Sequence, residues 1–289
     1  MYELIQAAEH TYYIESPAKI GLVQTGDTVA LIDSGSDKEA GRKVRQHLDA
    51  RGLKLSAIYN THSNADHIGG NQYLQRQTGC AVYAPGVEAA FTRDPILEPS
   101  FLYGGCPPKP LRHKFLLAQP SGVQVLDPKA CPLEVIPLPG HFFDMVGYRT
   151  EDDVVFLADC LSSRETLEKY RVSFLYDVAA YLDTLDRVAA MEAALFVPAH
   201  TAATEDIAPL ARYNRDQVYA VAEDLLDLLA EPLVFEEVLR RLFRRYHLTM
   251  DLQQYVLVGS TVKSYLAWLL DGGRVTAAFD DCRLLWRKA

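Results

Sequence analysis

Cysteine is scarce in this chain and poorly placed for a stapled scaffold. Cys80, Cys106, Cys131, Cys160 and Cys282 are scattered, odd in number and form no CxxC pair, which excludes a disulfide framework and a thiolate metal site. Cys160 adjoins Asp159, but neighbouring side chains on a strand point apart, so its thiol reads as buried and structural. A long apolar run is also missing. Stretches such as 265–270 fall far below the ~20 residues of a membrane span, which excludes a membrane partner. Residues 1–6 contain neither a basic nor an apolar leader segment, so no secretory signal is read and the expected compartment is cytoplasmic. Positive charge is in deficit. The 29 Lys and Arg against 38 Asp and Glu leave a net charge of −9, which argues against wholesale nucleic-acid binding.

What is present suits an ordinary globular protein. With 49% hydrophobic and 23% charged residues over 289 positions, the chain can bury one large core or two. β-rich segments around 12–14, 21–23 and 29–32 are punctuated by Gly26-Asp27 and Ser34-Gly35, and 37–50 has helical composition. Between 92 and 120, six prolines and the Gly104-Gly105 pair preclude a long helix or an inner strand. This stretch is expected to be a lid or substrate-facing loop, with Phe101, Tyr103 and His113 as wall residues, or else a surface or dimer contact. A second strand–helix half follows from about 123 to 200, with an amphipathic helix at 177–192.

The most informative stretch is Thr61-His62-Ser63-Asn64-Ala65-Asp66-His67-Ile68-Gly69-Gly70. It packs imidazoles and a carboxylate into a few residues directly after an apolar strand at 55–60. Imidazole suits zinc, iron and copper, and carboxylate adds a harder oxygen. Similar residues close other strands: His141 after 133–140, Asp159 after 154–158, His200 after 194–199. Successive strand ends each delivering a ligand-type residue point to metal chemistry on one edge of a sheet.

These motifs resemble the metallo-β-lactamase-fold metallohydrolases, whose pattern is HxHxDH, a lone His, a lone Asp and a last His on loops after strands. The matches are His62, Asp66 and His67, then His141, Asp159 and His200. The resemblance covers about residues 1–230. It implies an α/β fold, a four-layer αββα sandwich, and one or two divalent ions, zinc first, with iron or manganese as alternatives. It implies one metal position from Asp66, His67, His200 and a bridging Asp159, with Asp66 also orienting the nucleophile. A second position keeps His62, His141 and Asp159. The family's early Asp-x-Gly element is matched by Asp33-Ser34-Gly35, so Asp33 is expected to support the site from behind. One departure matters. The second His of the motif is Asn64, a neutral oxygen donor and a poorer zinc ligand, so that position should bind more weakly, prefer another metal or stay empty.

The tail reads as helices at 210–229, 235–246 and 252–270, ended by Gly272-Gly273, then a hairpin at 275–286. Residues 231–289 thus resemble a winged-helix module of one branch of the superfamily. Arg240, Arg241, Arg244 and Arg245 form a basic run, with Glu236 and Glu237 four residues before the first two in the favourable ion-pair order. The module is therefore read as a homodimer contact or an active-site cover rather than a nucleic-acid reader. The expected activity is metal-assisted hydrolysis of a small-molecule ester, thioester or lactone. Two alternatives stay open. The His62, His141 and Asp159 set suits a mononuclear iron persulfide dioxygenase, and the helical tail suits an RNA-processing nuclease.

Overall fold

The computed structural model describes residues 2–289. Two sheets lie face to face. The first holds β1 (Glu3–Gln6), β2 (Thr11–Glu15), β3 (Ile20–Thr25), β4 (Thr28–Ile32), β5 (Lys54–Tyr59), β6 (Ala81–Ala84) and β7 (Gln124–Val125) in sequential order. It is antiparallel up to β4 and parallel from β4 onward. The second holds β8 (Glu134–Pro137), β9 (Val146–Arg149), β10 (Val154–Ala158) and β11 (Leu195–Pro198), the last pair parallel. The helices are α1 (Lys38–Ala50), α2 (Ala65–Ile68), α3 (Asn71–Thr78), α4 (Glu88–Arg93), α5 (Leu97–Tyr103), α6 (Arg164–Tyr170), α7 (Val178–Ala189), α8 (Ala208–Leu228), α9 (Phe235–Arg245) and α10 (Leu252–Asp271). A terminal hairpin pairs β12 (Val275–Asp280) with β13 (Arg283–Lys288).

Three apolar layers make this an αββα sandwich. Ile14, Leu31, Ile58 and Val82 back onto Val44 and Leu48 of α1 and Leu74 of α3. Between the sheets, Ile32 and Tyr59 meet Tyr148, Phe156 and Val197. Outside the second sheet, Val155, Leu157 and Phe196 meet Leu182, Leu185 and Val188 of α7 and the buried face of α8. Asp37 caps α1 by accepting the Glu39 and Ala40 amides, and Pro209 occupies the first turn of α8, where its missing N–H costs nothing. No helix among the described residues is long and apolar enough to cross a membrane.

The tail does not pack as a separate ball. Val238, Leu239 and Leu242 of α9 and Val262 and Leu266 of α10 share one core with Val221 and Leu225 of α8. Leu233 and Trp286 exchange backbone hydrogen bonds that pin the hairpin. Glu237 alone takes both Arg240 and Arg241, so the expected Glu236–Arg240 pair gives way to an i,i+3 contact on the same carboxylate.

The Pro-rich stretch differs from the irregular lid expected of it. α4 runs into its start and α5 forms within it, with a tight turn at Lys109–Leu111. Pro99 is tolerated because it lies in the first turn of α5, where amides have no helical acceptor. Tyr103 points away from the site with 46% exposure. His113 packs edge-on against Phe115 instead of reaching the ligand residues. Phe101 does join the aromatic cluster beneath, 5.2 Å from Phe143 and 5.8 Å from Tyr176.

The two sheets are stitched together at one edge. The Val146 amide donates to Thr61, the Tyr148 hydroxyl to the Asn60 carbonyl and the Lys19 amide to Ala199. Gly140, before His141, has φ +121°, and a Cβ there would lie 2.4 Å from the Tyr181 backbone. Gly140→Ala is therefore expected to cost about 3 kcal/mol, from left-handed strain and overpacking together. Urea unfolding measures it; a loss below about 1 kcal/mol would show that this turn relaxes freely.

Candidate metal centre

Strand ends aim the side chains. Asp33 follows β4 with φ 62°, and Ala158 ends β10 with φ 48°, both left-handed without being glycine. The β10–β11 register also shifts between Phe156 and Ala158, a bulge that turns Asp159 out of the sheet. Such backbone costs about 1–3 kcal/mol per residue and persists only where the surroundings enforce it.

His62, His67, His141 and His200 meet at this edge, with Asp66 and Asp159 between them. Each imidazole is held by its Nδ1. His67 Nδ1 lies 2.8 Å from Asp33 Oδ2, His141 Nδ1 3.0 Å from the Phe174 carbonyl, and His200 Nδ1 2.7 Å from the Pro17 carbonyl. His62 Nδ1 lies 3.0 Å from the Thr61 hydroxyl, which gives its own proton to Asp33 Oδ2 at 2.7 Å. All four Nδ1 atoms therefore donate outward, and all four Nε2 atoms face the shared centre. An oxygen acceptor behind each ring fixes the tautomer that a ligand needs.

The inward atoms are short of partners. Nε2 of His62, Nε2 of His67 and Oδ1 of Asp159 are buried without a hydrogen bond. His67 Nε2 comes within 2.9 Å of Asp159 Oδ1, but out of alignment for a hydrogen bond. Orphaned buried polar atoms are costly and call for an explanation. Donor atoms of Asp66, His67, Asp159 and His200 lie within 4.8 Å of one another, as do those of His62, His141 and Asp159. Either group could hold an ion, and Asp159 is common to both. The donor set, imidazole nitrogen plus carboxylate oxygen, fits zinc, iron or manganese.

Electrostatics divide the histidines. Burial drives His62 and His141 below the ordinary imidazole value, so both offer lone pairs. Burial also opposes the charge on His200, but Asp159 and Asp66 outweigh it and push the pKa up to about 10. His67 rises for the same reason, with Asp33 adding to the pull. Asp66 and Asp159 resist burial and fall below the usual carboxylate range because His67 and His200 face them. Protons thus gather where a cation would be neutralised, and an ion bound there displaces them.

Two buried acids near the site gave no signal in the sequence. Glu88 accepts the Ser63 amide, the Ser63 hydroxyl and the Asp144 amide, which fixes the loop between His62 and Asn64. Glu98 accepts the Asn64 side-chain amide at 2.9 Å, while Asn64 Oδ1 lies 3.2 Å from His141 Nε2. Acids are ordinarily exposed, and nothing in the local sequence marks these as buried. Cys160, beside Asp159, is buried and faces the apolar layer under α7.

A cavity of about 250 Å³ opens beside His141, Asp159 and His200. Leu161, Tyr170, Arg171 and Phe174 line one side, and Leu257 and Thr261 of α10 the other. Thr261 also receives the Leu175 amide at 3.2 Å, tying α10 to the loop that carries Phe174.

Two outcomes are expected. Asp33→Ala should weaken divalent-ion binding about 10–100-fold, because the acceptor behind His67 and Thr61 is lost; chelator competition measures this, and unchanged affinity would contradict it. Burial also lifts Glu88 to about 7 from its ordinary 4.5, against its three hydrogen bonds. The folded protein then holds this proton more tightly than the unfolded chain, so stability falls as pH rises from about 4.5 through 7, by up to about 3 kcal/mol. Urea midpoints of the metal-free protein across that range should show the slope, and Glu88→Gln should make it shallower.

The Metallo-beta-lactamase superfamily profile matches residues 14–200. A hydroxyacylglutathione hydrolase from Bradyrhizobium sp. is 35% identical over 153 residues, covering 53% of this chain and 48% of that protein. The lactamase-like protein adaB of Aspergillus niger is 24% identical over 188 residues, 64% of this chain and 50% of that protein. The chain thus spans about half the length of these relatives. Among solved structures, a metallo-beta-lactamase family protein of Thermus thermophilus aligns with TM-score 0.74 at 20% identity, over 97% of this chain and 99% of that one. A beta-lactamase domain protein of Burkholderia ambifaria aligns with TM-score 0.72 at 16% identity, over 99% and 94%. With its profile match running from the end of β2 through β11 and over the whole histidine–aspartate cluster, this chain belongs to the metallo-β-lactamase superfamily.

Proposed function

We propose that this protein is a metal-dependent hydrolase of small acyl substrates, with thioesters first among them. The observation that carries the reading is the set of four outward-locked Nδ1 atoms that leaves four Nε2 atoms facing inward around a shared carboxylate. Asp66, His67, His200 and Asp159 form one ligand set, and His62, His141 and Asp159 the other. A divalent ion, when bound, supplies Lewis acidity, polarising the acyl carbonyl and acidifying a water.

The chain's own residues do the rest. Asp66 keeps a third of its side chain open to the cavity side, and its carboxylate is held ionised by His67 and His200. It can accept a hydrogen bond from the attacking water and orient it. Phe174, Leu161 and Leu257 exclude bulk water from the acyl group. The similarity to hydroxyacylglutathione hydrolases favours a thioester, since a hydroxyacylglutathione is one. The roof formed by α10 supports treating residues 231–289 as a module that covers the active site. Arg240 and Arg241 are bound up with Glu237, and Arg245 with Asp224 and Asp227, which removes most of the basic run from any phosphate backbone. A persulfide dioxygenase would need only the His62, His141 and Asp159 set and leaves the other ligand set idle.

Arg171 lines the cavity, adopts φ 62° and has no carboxylate partner among the described residues. An unpaired guanidinium at the cavity suits a substrate with a carboxylate or another anionic tail.

The test is hydrolysis of succinyl and butyryl thioesters of N-acetylcysteamine. Activity should disappear on chelation and return with zinc or manganese. Asp66→Ala should lower kcat/KM by at least about 100-fold. Arg171→Ala should raise KM for the succinyl ester about 10-fold and leave the butyryl ester nearly unchanged. Iron content with dioxygen uptake and no hydrolysis would favour the persulfide reading instead.

A further inference from the structure

The Pro-rich stretch supplies a carboxyl group that the mechanism above leaves without a role. Glu98 of α5 is 4% exposed and has no cationic partner among the described residues. Its carboxyl takes the Asn64 Nδ2 at 2.9 Å. Glu98 Oε1 accepts from Asn64 Nδ2, so the carboxyl holds the donor end of the Asn64 amide. The carbonyl end is thereby turned to the opposite side, where Oδ1 lies 3.2 Å from His141 Nε2. That nitrogen carries a lone pair, because the ring proton is engaged by the Phe174 carbonyl. Two acceptors facing each other at this range repel unless a cation or proton lies between them. Rotating the amide would give up the Nδ2 contact with Glu98. The pair therefore keeps an oxygen, and not an NH2, at the position where the family pattern has an imidazole.

We propose that Glu98 is a positioning residue that holds Asn64 as a neutral oxygen donor toward the His62, His141 and Asp159 position. This position is thereby weaker and harder than its neighbour, filling second and discriminating less against manganese or iron(II) in favour of zinc. The inference rests on the metal reading above, and its test reads ion binding instead of turnover.

The full-length protein, stripped of metal, is titrated with Mn2+ followed by electron paramagnetic resonance and with Zn2+ followed by calorimetry. The wild type should bind in two steps. Glu98→Ala should weaken the second step about 10–100-fold and leave the first within about threefold. Glu98→Gln, whose carbonyl can still accept from Asn64, should recover most of the loss. In an Asn64→Ala background, Glu98→Ala should change the second step no further. Asn64→His should tighten the second step for zinc more than for manganese. Equal weakening of both steps, additive effects of the two substitutions, or a single step in the wild type would overturn the role of Glu98. Should Glu98→Ala not fold, the Glu98→Gln and Asn64→His titrations decide: the assignment falls if zinc and manganese respond alike to Asn64→His, or if Glu98→Gln weakens both steps equally. Absence of any binding step would instead remove the metal reading itself.

Discussion

The structure depends on where the histidine protons are placed. Four rings give their Nδ1 protons to oxygens that come from four parts of the chain: Thr61, Asp33, Phe174 and Pro17. Two of those acceptors are backbone carbonyls on loops far from the ligand motif, so the arrangement cannot form before both sheets are docked. The consequence is a cluster of inward Nε2 atoms, of which those of His62 and His67 are buried without a hydrogen bond, each costing about 1–3 kcal/mol while unpaired. A bound ion recovers that free energy only in the folded state, and so adds to stability by linkage. The left-handed backbone at Asp33 and Ala158 belongs to the same balance: strain at two strand ends points two carboxylates at one volume.

The late part of the chain is built into this arrangement. Thr261 of α10 receives the Leu175 amide, and the adjacent Phe174 carbonyl orients His141. The α10 residues Leu257, Val258 and Thr261 also wall the cavity. A change in the tail can thus reach His141 through two hydrogen bonds and one peptide unit. That route is short and rigid, since Tyr176 and Asp177 are themselves tied to the Gly140 carbonyl. The shared core of α8, α9 and α10 holds the roof in register with the second sheet.

The parts legible in the sequence are those with local causes. Asp37 caps α1 and Asp177 caps α7 through contacts within three residues, so those helix starts could be read directly. The ligand-type residues were visible because strand, turn and His or Asp recur in order. β1 was not, since Glu3–Gln6 is short and half-exposed and acquires its strand only by pairing with β2. α5 was hidden by a proline whose effect depends on its place within a helical turn. Glu88 and Glu98 were invisible for a different reason. Their burial is decided by the loops folded over them, and composition assigns acids to the surface. The wall residues differ likewise: Leu102, Phe115 and Leu116 approach Asn64 and Asp66, while Tyr103 faces outward.

The two proposed ion positions are unequal for an electrostatic reason that the shared Asp159 sharpens. One position has two carboxylates, Asp66 and Asp159, and two imidazoles already drawn toward positive charge. The other has two neutral imidazoles and borrows its only charge from Asp159. A dication is better neutralised in the first, and once there it consumes part of the Asp159 charge that the second requires. An additional imidazole would deepen the second position through donor strength; an amide oxygen leaves it shallow. Glu98 decides which end of that amide faces inward. Its buried carboxyl holds the Asn64 Nδ2, and so keeps the Asn64 oxygen turned toward His141 without occupying a coordination position.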